Sequence, residues 1–230
     1  MEHAVFLERL AKLTTTFTPV VDAAYKAHTY RFLDLSVTNT VLAEVDTTSA
    51  EAIQVYIKTF LAKTGGQVAY GGYLEKRNIY DRSIYFNNDN PDLKRNIHLG
   101  LDVWCGAGTA ILAALEGIIH SFKDNRNYGD YGPCIVLKHQ FEDLVFYTLY
   151  GHLSRESINN LSVGQKVKAG ALIAHLGEPS ENGDYSPHLH FQIIKDIEHY
   201  RGDYPGVTTH NNLPFYRENC PDPQLLLKIN

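Results

Sequence analysis

The sequence is short of the residues that usually announce a function. Only three of its 230 residues are cysteine, namely Cys105, Cys134 and Cys220. They are odd in number, far apart and never spaced C-x-x-C, so neither a disulfide framework nor a thiolate metal site is suggested, and each reads as a small buried residue or a free thiol. Basic residues number 21 against 26 acidic ones, and the formal net charge is -5. With no lysine or arginine block, nothing would neutralise a run of phosphates or bind an acidic membrane by charge, which argues against nucleic acid as a partner. Long apolar runs are missing too. The start, MEHAVFLERLAKLTTTF, is broken by Glu2, Glu8, Arg9 and Lys12, so it lacks the apolar core of a secretory signal, and no stretch is long enough to span a membrane. The expectation is a cytoplasmic protein, reaching the cell envelope only if exported by another route.

What is present is ordinary for a globular chain that can bury a core: 44% hydrophobic and 20% charged residues. Phe6, Leu10 and Leu13 recur at helical spacing, Ala23 to Leu35 is a second helical candidate, and SAEAIQVYIKTFLAK (49–63) opens with a cap and stops at Gly65-Gly66. Residues 1–66 therefore read as a helical N-terminal extension and 67–96, rich in tyrosine and asparagine, as a connecting loop with short strands. From 97 to 195 the runs TAILAAL, GIIHSF, CIVLKH, LVFYTLY, QKVKAG, LIAHLG and LHFQII alternate with glycine and proline breaks. Short strands at that spacing indicate a mainly β domain. Residues 196–230 read as a C-terminal tail packed on the β core, being too short to bury a core alone.

Three of the clusters formed by the eleven histidines have ligand spacing: His98-Leu-Gly-Leu-Asp102, Gly151-His152-Leu153-Ser154 and His188-Leu189-His190. In a strand, alternate side chains share a face, so His188 and His190 project together while Leu189 packs behind them. Two such imidazoles can both bind a metal, or one can bind while the other handles protons. His98 and Asp102 would share a face on a helix, but Gly100 and the flanking apolar residues favour a bent strand or loop. Zinc takes nitrogen and oxygen ligands at roughly 2.0–2.2 Å, and a catalytic site keeps three protein ligands and one open position. Two histidines and one aspartate fit that count.

HLGLD, YGHLS and PHLH in this order resemble the lysostaphin-type zinc metallopeptidases, the peptidoglycan endopeptidase family with a duplicated hybrid motif. The resemblance covers roughly residues 97–195. It implies a mainly β catalytic domain of antiparallel barrel-sandwich hybrid type, one zinc per chain held by His98, Asp102 and His190, and catalytic roles for His152 and His188. The activity implied is hydrolysis of peptide bonds by a zinc-activated water, in peptidoglycan-type or small glycine- or D-amino-acid-containing peptides, so a peptide or muropeptide is the expected partner. The other function class is a catalytically silent relative that binds or regulates; the five intact site residues argue against it. In the tail and strands, YGPCIVLKH, GDYPGV and PDPQLLL are similar to domains of this family fused to aminotransferase and kinase-like modules.

Other features receive plainer readings. His120, His139 and His175 lie in or at the end of strands without a second ligand at suitable spacing, and Cys105, three residues after Asp102, is not needed to complete the ligand set. Gly106-Ala-Gly108 lacks the third glycine and the following helix of a dinucleotide fingerprint. Tyr73, Tyr80, Tyr128 and Tyr131 could line a peptide groove or sit in solvated loops.

Overall fold

The computed structural model describes residues 1–230 except 84, 85, 87, 89, 91 and 230, so part of the 67–96 loop lies outside the described residues. In chain order, helix α1 (His3–Ala11), strand β1 (Tyr30–Phe32), helix α2 (Ala50–Thr64) and strand β2 (Val68–Gly71) precede the site. There follow β3 (Ile97–His98), β4 (Leu101–Trp104), β5 (Ala110–Leu112), β6 (Gly117–Asn125), β7 (Gly132–Phe141) and β8 (Leu144–Gly151). The chain ends with β9 (Lys166–Val167), β10 (Leu172–His175), β11 (His188–Ile194), β12 (Val207–Thr208), α3 (Leu213–Asn219) and α4 (Gln224–Leu227). Eight strands form one sheet in the order β1-β2-β4-β11-β8-β7-β6-β9, antiparallel except for the β1–β2 pair. The mainly β architecture expected from the short apolar runs forms, and it is antiparallel-rich, as the family resemblance implied.

Strand periodicity separates the two faces of this sheet. Leu101 and Val103 of β4, Phe146 and Tyr150 of β8, and Leu189, Phe191 and Ile193 of β11 point into the main core. The alternate residues Asp102 and Trp104, and His188, His190 and Gln192, are carried on the other face. β11 is buried along its whole length, so its polar face is enclosed by protein.

α2 forms where the sequence marks it. Ser49 Oγ accepts the Ala52 amide at 3.2 Å, Glu51 and Lys63 complement the helix dipole, and Gly65 closes the helix at φ 65°, a left-handed conformation that glycine adopts without a Cβ penalty. Its Ile53 and Ile57, one turn apart, pack with Leu33, Leu35, Ala69 and Trp104. The helix expected over Ala23 to Leu35 does not form. Ala27–Thr29 is a single 3-10 turn and Tyr30–Phe32 is β1, paired in parallel with Val68–Tyr70. Tyr30 and Phe32 suit a strand, and the partner that decides the matter lies almost forty residues away. The last residues return to the start of the chain: Leu226, Leu227 and Ile229 join Phe6 and Leu10 in the main core, and the Thr18 amide donates to Leu227 O. The three cysteines are free: Cys134 and Cys220 are buried, and half-buried Cys105 packs on the main core. No described helix is long and apolar enough to cross a membrane.

His139 shows how the core treats a histidine that has no chemistry to perform. Its Nδ1–H donates to Glu116 O at 2.7 Å, its Nε2 accepts from Thr148 Oγ1 at 2.7 Å, and burial pulls its pKa down to about 4. The folded pKa lies below the unfolded value of about 6.5, so the unfolded chain takes up the proton first as pH falls. This contribution is neutral above pH 6.5 and costs stability progressively towards pH 4, by roughly 3 kcal/mol in all. Denaturant titrations between pH 7 and pH 4.5 should show the midpoint falling, and falling less in His139→Gln.

Candidate metal centre

Register brings the site together. In the β4–β11 pair Asp102 lies directly opposite His190, and Trp104 opposite His188; on the other side of β11, His190 faces Gly151, the residue before His152. His98 is added from β3, which pairs with β12 of the tail through His98 and Val207. The short break between β3 and β4 turns the chain so that His98 and Asp102 meet, which corresponds to the bent strand read from the sequence. Gly100 sits at that break because a Cβ there would lie 2.6 Å from the His190 ring.

The three ligand candidates converge. His98 Nε2 stands 2.8 Å from His190 Nδ1, and Asp102 Oδ1 lies 3.3 Å and 3.2 Å from those two nitrogens. Outer partners decide the tautomers. His98 Nδ1–H donates to Gly72 O at 2.9 Å, and His190 Nε2–H donates to Gln192 Oε1 at 2.8 Å. Gln192 is itself oriented by donating its amide to Pro205 O and Cys220 Sγ. With those hydrogens committed, the facing atoms are a lone pair on each imidazole and Asp102 Oδ1, which is buried and accepts no hydrogen bond. Three acceptors with no proton among them repel one another unless a cation lies between. Tetrahedral zinc ligands at 2.0–2.2 Å stand on the order of 3.3–3.6 Å apart, close to the distances found here. Burial also lowers the His98 pKa to about 4, so its lone pair is free at neutral pH. The donor set therefore fits one zinc ion.

His188 and His152 flank this group with their rings 4.2 Å apart. The Nδ1–H of His188 donates to Ser186 O at 2.8 Å and that of His152 to Asn182 O at 2.7 Å, which leaves Nε2 of each as the basic nitrogen. His188 Nε2 is 3.8 Å from Asp102 Oδ1. Burial lowers both pKa values, His152's well below the usual range. His152 is held at φ 64°, an uncommon conformation for a residue with a side chain and one found at functional sites.

All five residues line one cavity of about 240 Å³. Leu35, Ile53, Ile79 and Tyr80 line it from the N-terminal part of the chain, and Tyr131, Tyr185 and Pro205 line it as well. Of the tyrosines singled out in the sequence, Tyr80 and Tyr131 reach this cavity, Tyr73 OH donates to Cys220 O, and Tyr128 is exposed beside Arg82. Cys105 is absent from the ligand group. Sequence reasoning did not pick out Gln192, although its place two residues after His190 on one strand face was a usable signal. It also missed buried Arg77, which donates to Asp102 Oδ2 at 2.6 Å and for which spacing offered no signal.

Two histidines and an aspartate converge on a β scaffold, with two further histidines beside them, and the grouping fits a zinc centre. The family model of peptidase family M23 matches residues 96–201, a little under half of the chain. Among solved structures, the catalytic domain of lysostaphin from Staphylococcus simulans is 28% identical, covering 53% of this chain and 80% of that one at a TM-score of 0.36. A zinc-containing peptidase from Vibrio cholerae is 26% identical (47% and 30% covered, TM-score 0.35). An M23 chain from Pseudomonas aeruginosa is 22% identical (58% and 44% covered, TM-score 0.39). This chain thus spans less than half the length of the latter two proteins. No curated protein matches it.

Metal content checks the donor set directly. The purified protein should hold close to one zinc per chain by elemental analysis, and alanine at His98, Asp102 or His190 should abolish tight binding, because each removes one of three anchors.

Proposed function

We propose that the chain is a zinc-dependent endopeptidase acting on peptidoglycan-type or other small glycine- or D-amino-acid-containing peptides, with His98, Asp102 and His190 holding the metal and His152 and His188 moving protons. The observation that carries the reading is the convergence of three proton-free acceptors beside two histidines whose Nε2 atoms are basic. Bound zinc would supply a Lewis acid that polarises the scissile carbonyl and brings the pKa of a coordinated water to about 7. The residues do the rest. Being neutral at pH 7, His152 and His188 can each accept a proton at Nε2 and later return it to the leaving amine. Ser186 O and Asn182 O stabilise the protonated rings by keeping their Nδ1–H bonds.

The wall of Leu35, Ile53, Ile79 and Tyr80 favours peptides with compact side chains. Removing residues 1–66 would take away Phe6, Leu10, Val20, Val21 and Tyr30 of the main core, so single substitutions are the cleaner probe. Leu35→Ala should widen the cavity and raise kcat/KM for bulkier peptides relative to glycine-rich ones, with zinc content unchanged.

The alanine series tests the division of labour. His152→Ala and His188→Ala should keep their zinc while turnover falls by about 10²–10⁴-fold, the range for a missing general acid–base group. If His188→Ala loses zinc and His190→Ala keeps it, the two roles are reversed. A wild-type protein that binds zinc and peptide without cleaving muropeptides, cross-linked wall or glycine-rich peptides would instead favour the silent binding class.

A further inference from the structure

The matched domain begins at residue 96, yet the centre is completed by residues before it. Segment 72–77 runs beside 96–98: the Leu74 amide donates to His98 O, the His98 amide to Glu75 O and the Arg77 amide to Asn96 O, each at 2.9 Å. Two contacts from this segment reach the ligands. Gly72 O fixes the His98 ring, and Arg77 Nη1 donates to Asp102 Oδ2 between side chains that are 4% and 1% exposed. Gly72 has φ 98°, and a Cβ there would lie 1.9 Å from Arg77 Nη2, so this backbone approach needs glycine.

Arg77 is held in turn. Its Nε donates to Glu75 Oε2, Glu75 Oε1 accepts the Leu35 amide at 3.0 Å, and the guanidinium lies 5.6 Å from the centre of the Trp104 ring. A carboxylate with both oxygens free can turn or chelate through both. Pinning Oδ2 with a rigid planar donor fixes the plane of the group and presents Oδ1 alone to the two imidazoles. Outer contacts of this kind are where a protein sets the direction and strength of its metal ligands.

We propose that Arg77, braced by Glu75, is a positioning residue of the metal centre that makes Asp102 a one-oxygen ligand, so that the segment preceding the peptidase domain is part of that centre. The inference rests on the zinc reading of the site, though not on peptidase activity.

The experiment uses the full chain and reads zinc affinity by chelator competition, together with the visible spectrum of the cobalt-substituted protein. Removing Arg77 alone would strand the buried Glu75 carboxylate, so the main variant is Glu75→Gln with Arg77→Met. A roughly 10–100-fold weaker zinc Kd with an altered cobalt spectrum is expected. Arg77→Lys keeps the charge without the fork that joins both carboxylates, and should recover affinity in part while leaving the spectrum altered. It carries the test by itself if the double variant does not fold. Folded variants with wild-type Kd and an unchanged cobalt spectrum would overturn the positioning role while leaving the peptidase reading intact. Weakened zinc binding in a protein that cleaves no peptide would support the role and overturn the peptidase reading. A wild-type chain that binds no zinc overturns both.

Discussion

The structure turns on three buried acceptors that face one another without a proton to share. His98 Nε2, His190 Nδ1 and Asp102 Oδ1 stand within 3.3 Å of each other, and their hydrogen-bonding hydrogens are all directed outward. A single unpaired buried acceptor costs on the order of 1–3 kcal/mol. Three aimed at one point are tolerable only if a cation answers them, and most of the surrounding structure keeps them aimed there. Gln192, Gly72 and Arg77 hold the far side of each group, and the tail strand β12 fixes the backbone of His98.

His139 makes the contrast plain. It is as buried as the site histidines, and burial depresses its pKa as it does those of His98, His152 and His188. Both of its nitrogens are satisfied, by Glu116 O and Thr148 Oγ1. Burial alone therefore does not mark a functional histidine; a neutral ring with a nitrogen left unpaired towards a cavity does. At neutral pH His98 is uncharged, so the standing positive charge beside Asp102 is Arg77. Burial by itself would raise the Asp102 pKa, but the charges around it hold the carboxyl well below the usual range.

The segments on either side of the stretch that the family model matches share its architecture. β1 extends the same sheet through β2, α2 backs the Trp104 side of the cavity, and α4 closes the main core against α1. Part of the cavity wall, the partner of the second oxygen of Asp102 and the partner of the imidazole NH of His98 all come from residues before 96. The geometry of the domain and the limits on what can enter it are thus set partly by parts of the chain that the family model does not reach.

Much of this was legible in the sequence for a simple physical reason. Strand side chains alternate, so His188-Leu189-His190 had to place two imidazoles on one face, and the spacing of apolar runs and glycines was enough to indicate short strands. Ser49 and Gly65 announced α2 because caps are local. What the sequence could not supply were relations between distant backbones. Tyr30–Phe32 became a strand rather than a helix because β2 was there to pair with it. Arg77 looked like one charge among several in YGGYLEKRN, since neither its neighbours nor its spacing record that Asp102 lies beside it. By itself the sequence determined the donor types, the strand period and the local caps, which depend on a few adjacent residues. Tertiary structure alone decided the register that sets Asp102 opposite His190, the enclosure that lowers the pKa values of His98, His152 and His188, and the arginine that holds the carboxylate, because each needs remote segments to meet.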